Sequence, residues 1–209
     1  MVTVEADQER VESRLVEGRL RCSGCRGALR RWGWARQRRV HGLPAPVRPR
    51  RARCSSCGAT HVLLPVTLLS RRGWAAAVVW SAVVLRGSGA GHRSAAAALG
   101  VPATTVRGWL RRLGGRLAAA REAFTSIAVA FGIDVRPPDG LGCPWRDLLA
   151  AVGVALSAVR GRFGMAGLLG AVTAGQVAVA GSGGRLLAPG WPPRRPQHDS
   201  ALPPPGAAG

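Results

Sequence analysis

The sequence predicts a mainly α-helical protein with a small β segment near its N-terminus and a disordered C-terminal tail. Aromatic residues make up only 5% of the 209 residues, with no Tyr and three Phe, which disfavours a single large β-sandwich. Ala-rich stretches without Pro favour helices beyond residue 70. Residues 21–66 are Arg-rich and interrupted by Gly and Pro, a pattern typical of short strands and turns.

The first 70 residues contain one expected helix and one clear strand. A short helix is predicted from Asp7 to Leu20, where charged and apolar residues alternate. The stretch "ATHVLLPV", residues 59–66, predicts a brief strand that Pro65 stops.

Three helices are predicted in the next stretch. The first runs from Arg71 to Leu85 and is broken by "RGSGAGH". The second, "RSAAAALG", ends at Gly100, which suits a left-handed C-terminal position. The third begins near Pro102, and the glycine pair at 114–115 is expected to bend or interrupt it.

Beyond residue 132 the pattern is weaker. A helix is predicted from Trp145 to about Arg162, and "MAGLLGAVTAGQVAVAG" predicts either another apolar helix or, because of its glycines, a loosely packed segment. Residues 163–181 are 19 uncharged residues, long enough for a membrane span, but five are Gly and two are polar, which favours a buried or partner-facing helix. The predicted units are an N-terminal segment (1–19), a cysteine-anchored β unit (20–66), a helical unit (70–131), a linker (132–140), a helical C-terminal region (141–188) and a Pro-rich disordered tail (189–209).

The charge balance favours a polyanionic partner. The chain has 30 basic residues, all of them Arg, against 10 acidic ones, for a net charge of +20. The absence of Lys, with heavy Ala, Gly and Pro usage, indicates a GC-rich genome, so part of this charge reflects base composition. The remainder is still large enough to attract polyanions, and guanidinium groups suit phosphates and guanine edges. Nucleic acid is therefore the leading partner class, and an anionic membrane surface is the second.

Two matched cysteine pairs predict a metal site. Cys22, Cys25, Cys54 and Cys57 form C-x2-C-x28-C-x2-C, the arrangement that a tetrahedral zinc ion needs. Small Ser and Gly residues in and after each pair permit tight turns, and the 28-residue spacer has room for a β-hairpin. Because four protein ligands leave no open position for a catalytic water, we expect structural Zn²⁺ in a zinc ribbon, residues 20–66.

Other interpretations of the cysteines are weaker. A redox dithiol would leave the second matched pair unexplained, and four unrelated buried thiols would not repeat the same spacing. His61 is an alternative ligand, although four cysteines already suffice. Cys143 stands alone in "LGCPW" and is expected to be an ordinary thiol. The start "MVTVEADQER" has no signal-peptide core, which predicts a cytoplasmic, nucleoid-associated protein, and disulfides are rare in the cytoplasm.

The segment "HRSAAAALGVPATTVRGWLRRL" has the spacing of a helix-turn-helix. Ala96 is the small residue where two helices touch, and Gly100 permits the turn. Val106 is the apolar anchor of the second helix. A plain helical hairpin is the alternative, because Ala-rich sequence places small residues at many offsets. The polar and basic residues on the exposed face favour the helix-turn-helix.

This unit supplies the predicted DNA contacts. The start of the second helix would reach base edges in the major groove, and its end, with the start of the preceding helix, would contact phosphates. Expected base contacts are Thr104, Thr105 and Arg107; expected backbone contacts are Arg111, Arg112, His92 and Arg93.

The order "CSGC … RARCSSCGATHVLLP … GHRSAAAALGVPATTVRGWLRR" resembles a family of GC-rich bacteria that pairs a zinc ribbon with a helix-turn-helix. It is also similar to the N-terminal DNA-binding regions of some insertion-sequence transposases. The resemblance covers roughly residues 20–115. It implies DNA binding linked to mobile elements and carries no activity with it.

The sequence therefore predicts a non-enzymatic, sequence-specific binder of double-stranded DNA, either a transcriptional regulator or a mobile-element-associated protein. A homodimer is left open, and no small-molecule substrate is indicated. A truncated or accessory transposase subunit is the enzyme-class alternative, but only five carboxylates, Glu122, Asp134, Asp139, Asp147 and Asp199, remain to hold metal ions after the helix-turn-helix. A membrane-associated basic protein is the third hypothesis.

Overall fold

A computed structural model describes residues 1–132, 139–167 and 172–193, with the side chains of 165–167 left out. Within these ranges the chain is mainly α with one small sheet, which confirms the predicted fold class at that level. The elements follow in the order β1 (Val2–Val4), α1 (Gln8–Val16), β2 (Leu29–Trp34), β3 (Arg50–Cys54), β4 (Thr60–Pro65), α2 (Ala76–Gly87), α3 (His92–Leu99), α4 (Ala103–Gly114), α5 (Leu117–Phe131), α6 (Pro144–Gly167) and α7 (Ala174–Gly181).

The sheet has the strand order β1-β4-β3-β2. Strands β2 and β3 are antiparallel and join the two cysteine pairs, as the spacer length predicted. Strand β1 adds in parallel to β4, so residues 1–19 belong physically to the β unit. Their apolar side chains complete one small core with those of the strands: Val4, Val11, Leu15, Leu20, Leu29 and Leu63.

Helix α1 is shorter than the predicted span from Asp7 to Leu20. The Asp7 carboxylate accepts hydrogen bonds from the N–H groups of Glu9 and Arg10 and so fixes the start. The helix ends at Val16, and Gly18 then takes a left-handed φ of 65°, which turns the chain toward the first cysteine pair.

Helix α2 begins at Ala76, five residues later than predicted. The preceding residues instead pair with the loop between β2 and β3. The His41 N–H donates to the Gly73 carbonyl, and the Ala75 N–H donates to the His41 carbonyl, both at 2.8 Å. These backbone bonds attach the β unit to the helical unit, and an apolar cluster that includes Val40, Leu64, Leu68 and Ala75 covers the junction.

Helices α3 and α4 are joined by a tight turn centred on Gly100. Gly100 has φ 63° and ψ 32°, and the Val101 N–H donates to the Ala96 carbonyl to close the helix end. The inner face is apolar and includes the fully buried Val106. The residues expected to form the turn therefore form it.

Replacing Gly100 by Ala is expected to lower the free energy of unfolding by roughly 1–2 kcal/mol, because a residue with a Cβ pays that cost in the left-handed region. The added Cβ would have no neighbouring atom within 4 Å, so new packing contacts would not offset this cost. Denaturant unfolding measures the change. The matched control is Gly115→Ala, at φ −71° and also in open space, which should be neutral or stabilise by up to about 1 kcal/mol. Equal effects of the two substitutions would contradict this account.

The predicted long third helix is interrupted at the glycine pair and becomes α4 and α5. Arg116, between them, is non-helical at φ −140°. Its guanidinium donates to the carbonyl oxygens of Ala188 and Trp191, so the break is held by the C-terminal segment.

The glycine-rich C-terminal region is closely packed where the structure describes it. Helix α6 extends to Gly167, five residues beyond the predicted end, with non-helical angles at Gly164. In α7, a Cβ at Gly175 would lie 3.0 Å from the Trp80 ring, and one at Gly181 would lie 2.9 Å from the Phe124 ring. These glycines permit close helix contact and do not loosen the segment.

The disordered tail was predicted from residue 189, but the chain is ordered at least to 193. Trp191 is 3% exposed and its ring lies 5.7 Å from that of Phe124. Residues 189–193 are ordered because a large aromatic side chain is buried in the helical core. The surrounding Pro residues favour disorder, so the sequence did not indicate this burial. Residues 194–209 of the predicted tail and 133–138 of the predicted linker lie outside the described residues. None of the helices that the structure describes is long and apolar enough to span a membrane.

Candidate metal centre and basic surfaces

The four predicted cysteine ligands lie together at one end of the sheet. Their sulfur atoms are all within 4.8 Å of one another. The Cys22 and Cys57 sulfurs are 3.8 Å apart, and those of Cys25 and Cys54 are 3.4 Å apart. Tetrahedral ligands at a Zn–S distance of about 2.3 Å would be about 3.8 Å apart. The cluster therefore has the donor set and spacing of a metal site.

The two cysteine pairs have matching backbone turns. In the first turn, the Arg26 N–H donates to the Cys22 carbonyl at 3.0 Å, and in the second the Gly58 N–H donates to the Cys54 carbonyl at 3.1 Å. Both donors have positive φ, 64° for Arg26 and 73° for Gly58. The second residue after each first cysteine, Gly24 or Ser56, directs its N–H at the sulfur at 3.4 Å. This arrangement presents thiolates with backbone donors already in place.

The local donors also change the acidity of the thiols. The backbone N–H of Cys57, with that of Ser56, lowers the pKa of Cys54 to about 6 against the opposing effect of burial. The N–H groups of Cys25 and Gly24 lower the pKa of Cys22. For Cys25, the Gly27 N–H favours the thiolate, but the neighbouring sulfurs and burial outweigh it and raise the pKa to about 11. Four thiolates at this distance repel one another unless a cation neutralises them.

His61 lies beside the cluster and does not replace a cysteine in it. Its Nε2 atom is 3.3 Å from the Cys22 sulfur, its ring is buried, and this burial lowers the pKa of His61. A neutral imidazole there can donate to a ligand sulfur, a role that the sequence pattern did not indicate. Cys143 is in the turn that begins α6 and is not in the cluster.

Gly27 provides a direct test of the geometry between the two turns. A Cβ at this position would lie 2.9 Å from the Cys54 sulfur and would collide with the Ser56 side chain. Gly27→Ala is therefore expected to weaken metal binding roughly ten- to hundredfold, the equivalent of about 1–3 kcal/mol of overpacking. Competition with a chromophoric chelator measures the affinity. The control Gly24→Ala, whose Cβ would be 3.9 Å from the Cys22 sulfur, should bind as the parent does; unchanged binding in both variants would disprove the close approach.

The predicted DNA contacts fall on two helices. Val106, Trp109, Leu110 and Leu113 bury the inner face of α4. Thr104, Arg107, Arg111 and Arg112 lie exposed on its other side, with Thr105 half-buried. His92 and Arg93 begin α3.

A basic groove of about 440 Å³ brings four of these residues together and adds two that were not predicted from the sequence. Thr104, Thr105, Arg111 and Arg112 line it together with Arg71 and Arg72. His92, Arg93 and Arg107 lie outside its lining. In the described chain, none of the four groove arginines forms an ion pair with a carboxylate. The adjacent arginines Arg71 and Arg72 were visible in the sequence, but they were predicted to begin a helix and not to take part in a binding surface.

A backbone carbonyl fixes the position of the Arg72 side chain in this groove. Its Nη2 atom donates to the Leu187 carbonyl at 2.9 Å, while its Nε atom is buried without a partner. Burial, and to a lesser extent the nearby Arg112, lowers the pKa of Arg72. Two guanidinium groups that approach each other without a counter-ion make a favourable position for an anion.

The arginines of residues 21–66 include some that are paired with a carboxylate and some that are not. On one side, Glu12 of α1 forms ion pairs with Arg31 and Arg50, each with an N···O distance of 2.8 Å. On the other, Arg30 and Arg53 are direct cross-strand partners and neither pairs with a described carboxylate. Two arginines of residues 21–66 are thus paired within the protein, and the others have no carboxylate partner in the part of the chain that the structure describes.

A cavity of about 670 Å³ elsewhere in the described chain is far less polar than the basic groove. Its lining includes Ile127, Phe131, Val159, Phe163 and Val177. It does not include a cysteine of the cluster or a predicted DNA contact.

No protein-family model matches the chain, and neither curated proteins nor solved structures show a match to it. The resemblance to ribbon and helix-turn-helix proteins therefore rests on the quoted motifs, and the function must be inferred from the metal centre and the basic groove.

Proposed function

We propose that this chain is a non-enzymatic, sequence-specific binder of double-stranded DNA, with α3 and α4 as a helix-turn-helix and a structural zinc ribbon as its support. The observation that carries the proposal is the basic groove. It combines hydroxyl groups at the start of α4 with four arginines that have no described carboxylate partner. Such a mixture suits a phosphate backbone beside readable base edges.

The two faces of α4 support its role as the recognition helix. One face is anchored by buried apolar side chains, so the helix is held rigidly on α2 and α3. The exposed N-terminal half can enter the major groove, where Thr104, Thr105 and Arg107 would contact base edges. Arg111 and Arg112 would then lie beside phosphates, and His92 and Arg93 would contact the backbone from α3.

The ribbon orients this helix through an aromatic chain. His41 stacks on Trp74 with ring centroids 4.8 Å apart, and Trp74 meets Trp109 of α4 edge-on at 6.0 Å. The loop that carries His41 runs between β2 and β3. A folded ribbon would therefore fix the position of α4 relative to Arg71 and Arg72.

Zinc is the metal that the donor set favours. Four thiolates in a tetrahedral arrangement suit Zn²⁺, and they leave no position for a substrate. Its contribution would be structural: it would hold the two turns together in a segment whose own apolar core is small.

A selection from random duplex DNA tests this function. We expect the metal-loaded protein to enrich a defined sequence and its affinity to fall linearly with the logarithm of salt concentration. Zinc quantification on the same preparation should give one ion per chain. Binding without sequence enrichment would reduce the groove to a general basic surface and contradict the proposal.

A further inference from the structure

A second basic surface lies on the ribbon, separate from α4. It is a shallow concavity of about 540 Å³ beside the second cysteine turn. We name it the Trp32 platform, formed by Arg30, Trp32, Arg53, Ser55 and Ser56.

Trp32 is displaced from the ladder of the sheet. Arg31 pairs with Ala52 and Gly33 with Arg51, so Trp32 between them has no cross-strand partner. This bulge re-aims the side chain, and Trp32 is left 54% exposed. An indole in this position contributes little to the core of the sheet.

Arg53 fixes the platform to the metal centre. Its guanidinium lies 4.8 Å from the Trp32 ring centroid, and its Nε atom donates to the Gly58 carbonyl at 3.2 Å. Gly58 belongs to the turn that presents Cys54 and Cys57. The orientation of the indole therefore depends on the same turn that holds the metal ligands.

The arginines around Trp32 have no carboxylate partner among the residues that the structure describes. Arg30 and Arg53 face each other across the strand pair, and like charges in that position destabilise a sheet. Trp34, two residues further along β2, differs: Arg50 lies 4.3 Å and Arg48 5.8 Å from its ring centroid, and Arg50 is neutralised by Glu12. Trp34 is 36% exposed and has two guanidinium groups against its ring, whereas Trp32 is 54% exposed and has one, that of Arg53. More of the Trp32 ring surface is therefore open to a partner.

We propose that the Trp32 platform binds an unpaired nucleotide of a single-stranded nucleic acid. The base stacks on the exposed indole, and the adjoining phosphates lie against Arg30 and Arg53. Bases within a duplex cannot use this surface because both of their faces are already stacked. The platform therefore adds a single-strand site to a protein whose α4 groove suits a duplex, and it does not depend on the duplex function being correct.

Binding of fluorescein-labelled dT12 and rU12 to the zinc-loaded full chain tests the proposal, with anisotropy as the readout. Trp32→Ala is expected to weaken binding of one or both strands by roughly five- to a hundredfold. Trp32→Phe should retain most of the affinity, and the internal control Trp34→Ala should change it less than threefold. Preference for dT12 or rU12 identifies DNA or RNA as the source of the nucleotide.

Three measurements keep this result separate from folding and from duplex binding. Zinc content and thermal unfolding of Trp32→Ala should match the parent, since the side chain is exposed. Binding to a blocked-end DNA duplex should be unchanged, so failure of the duplex function would leave the single-strand result intact. Equal loss with Trp32→Ala and Trp34→Ala, equal loss for single strand and duplex, or no loss at all would overturn the proposal.

Discussion

The Cys54→Ser variant is expected to lose stoichiometric zinc and to unfold the ribbon. Cys54 is 3% exposed, and its sulfur accepts an N–H from Ser56 and lies 3.4 Å from the Cys25 sulfur. A structural zinc site contributes on the order of 10–16 kcal/mol of apparent binding free energy to the folded state. The small core of the β unit cannot replace that contribution. Elemental analysis measures the metal, and circular dichroism with thermal unfolding measures the fold.

The loss should be larger in the ribbon than in the helices. Helices α2 to α7 share a separate apolar core that includes Val79, Leu113 and Phe124, so much of the helical signal should remain. Cobalt substitution gives an independent readout, because tetrahedral thiolate ligands produce a distinctive visible spectrum in the parent and not in Cys54→Ser. The control Cys143→Ser removes a cysteine outside the cluster and should keep metal and stability. A parent protein purified without metal, or a Cys54→Ser variant with unchanged unfolding, would refute the structural site.

Local sequence signals predicted the elements that depend on local chemistry. The repeated C-x2-C spacing predicted that the four cysteines come together, and their sulfur atoms do lie within 4.8 Å of one another. Gly100 marked the end of α3 because only a left-handed residue closes that helix. The glycine pair at 114–115 marked the break before α5, although Gly115 keeps a φ of −71° and the non-helical residue is the next one, Arg116.

Features that depend on distant contacts were not predictable in this way. Trp191 lies among prolines in the sequence, yet its ring packs on Phe124, 67 positions earlier in the chain. Glu12 of α1 pairs with Arg31 of β2 and Arg50 of β3, which no local pattern indicates. Arg71 and Arg72 looked helical because the stretch after them is apolar, whereas backbone bonds to His41 hold the adjoining residues extended. Such contacts are fixed by tertiary packing, which overrides local preference.

The double variant Arg111→Ala/Arg112→Ala is expected to weaken duplex binding by about tenfold or more for each arginine, whatever the DNA sequence. Both side chains line the basic groove without a described carboxylate partner, so each would neutralise a phosphate. The slope of log affinity against log salt should therefore become shallower by about 2, since each phosphate that an arginine no longer neutralises reduces it by about 0.9. Fluorescence anisotropy over a range of salt concentrations measures both quantities. The charge-matched control Arg19→Ala/Arg162→Ala removes two exposed arginines outside the groove and should change the slope far less.

Arg107 should respond differently because we assign it to a base edge. It is exposed on the N-terminal half of α4 and lies outside the lining of the groove. Arg107→Ala is expected to cost about 1–3 kcal/mol of discrimination between the selected sequence and a scrambled one, with a smaller change in non-specific affinity. The phosphate pair, by contrast, should weaken both sequences equally. If Arg107→Ala lowers both affinities by the same factor, its role is electrostatic, and the reading of bases must lie with Thr104 and Thr105 or be absent.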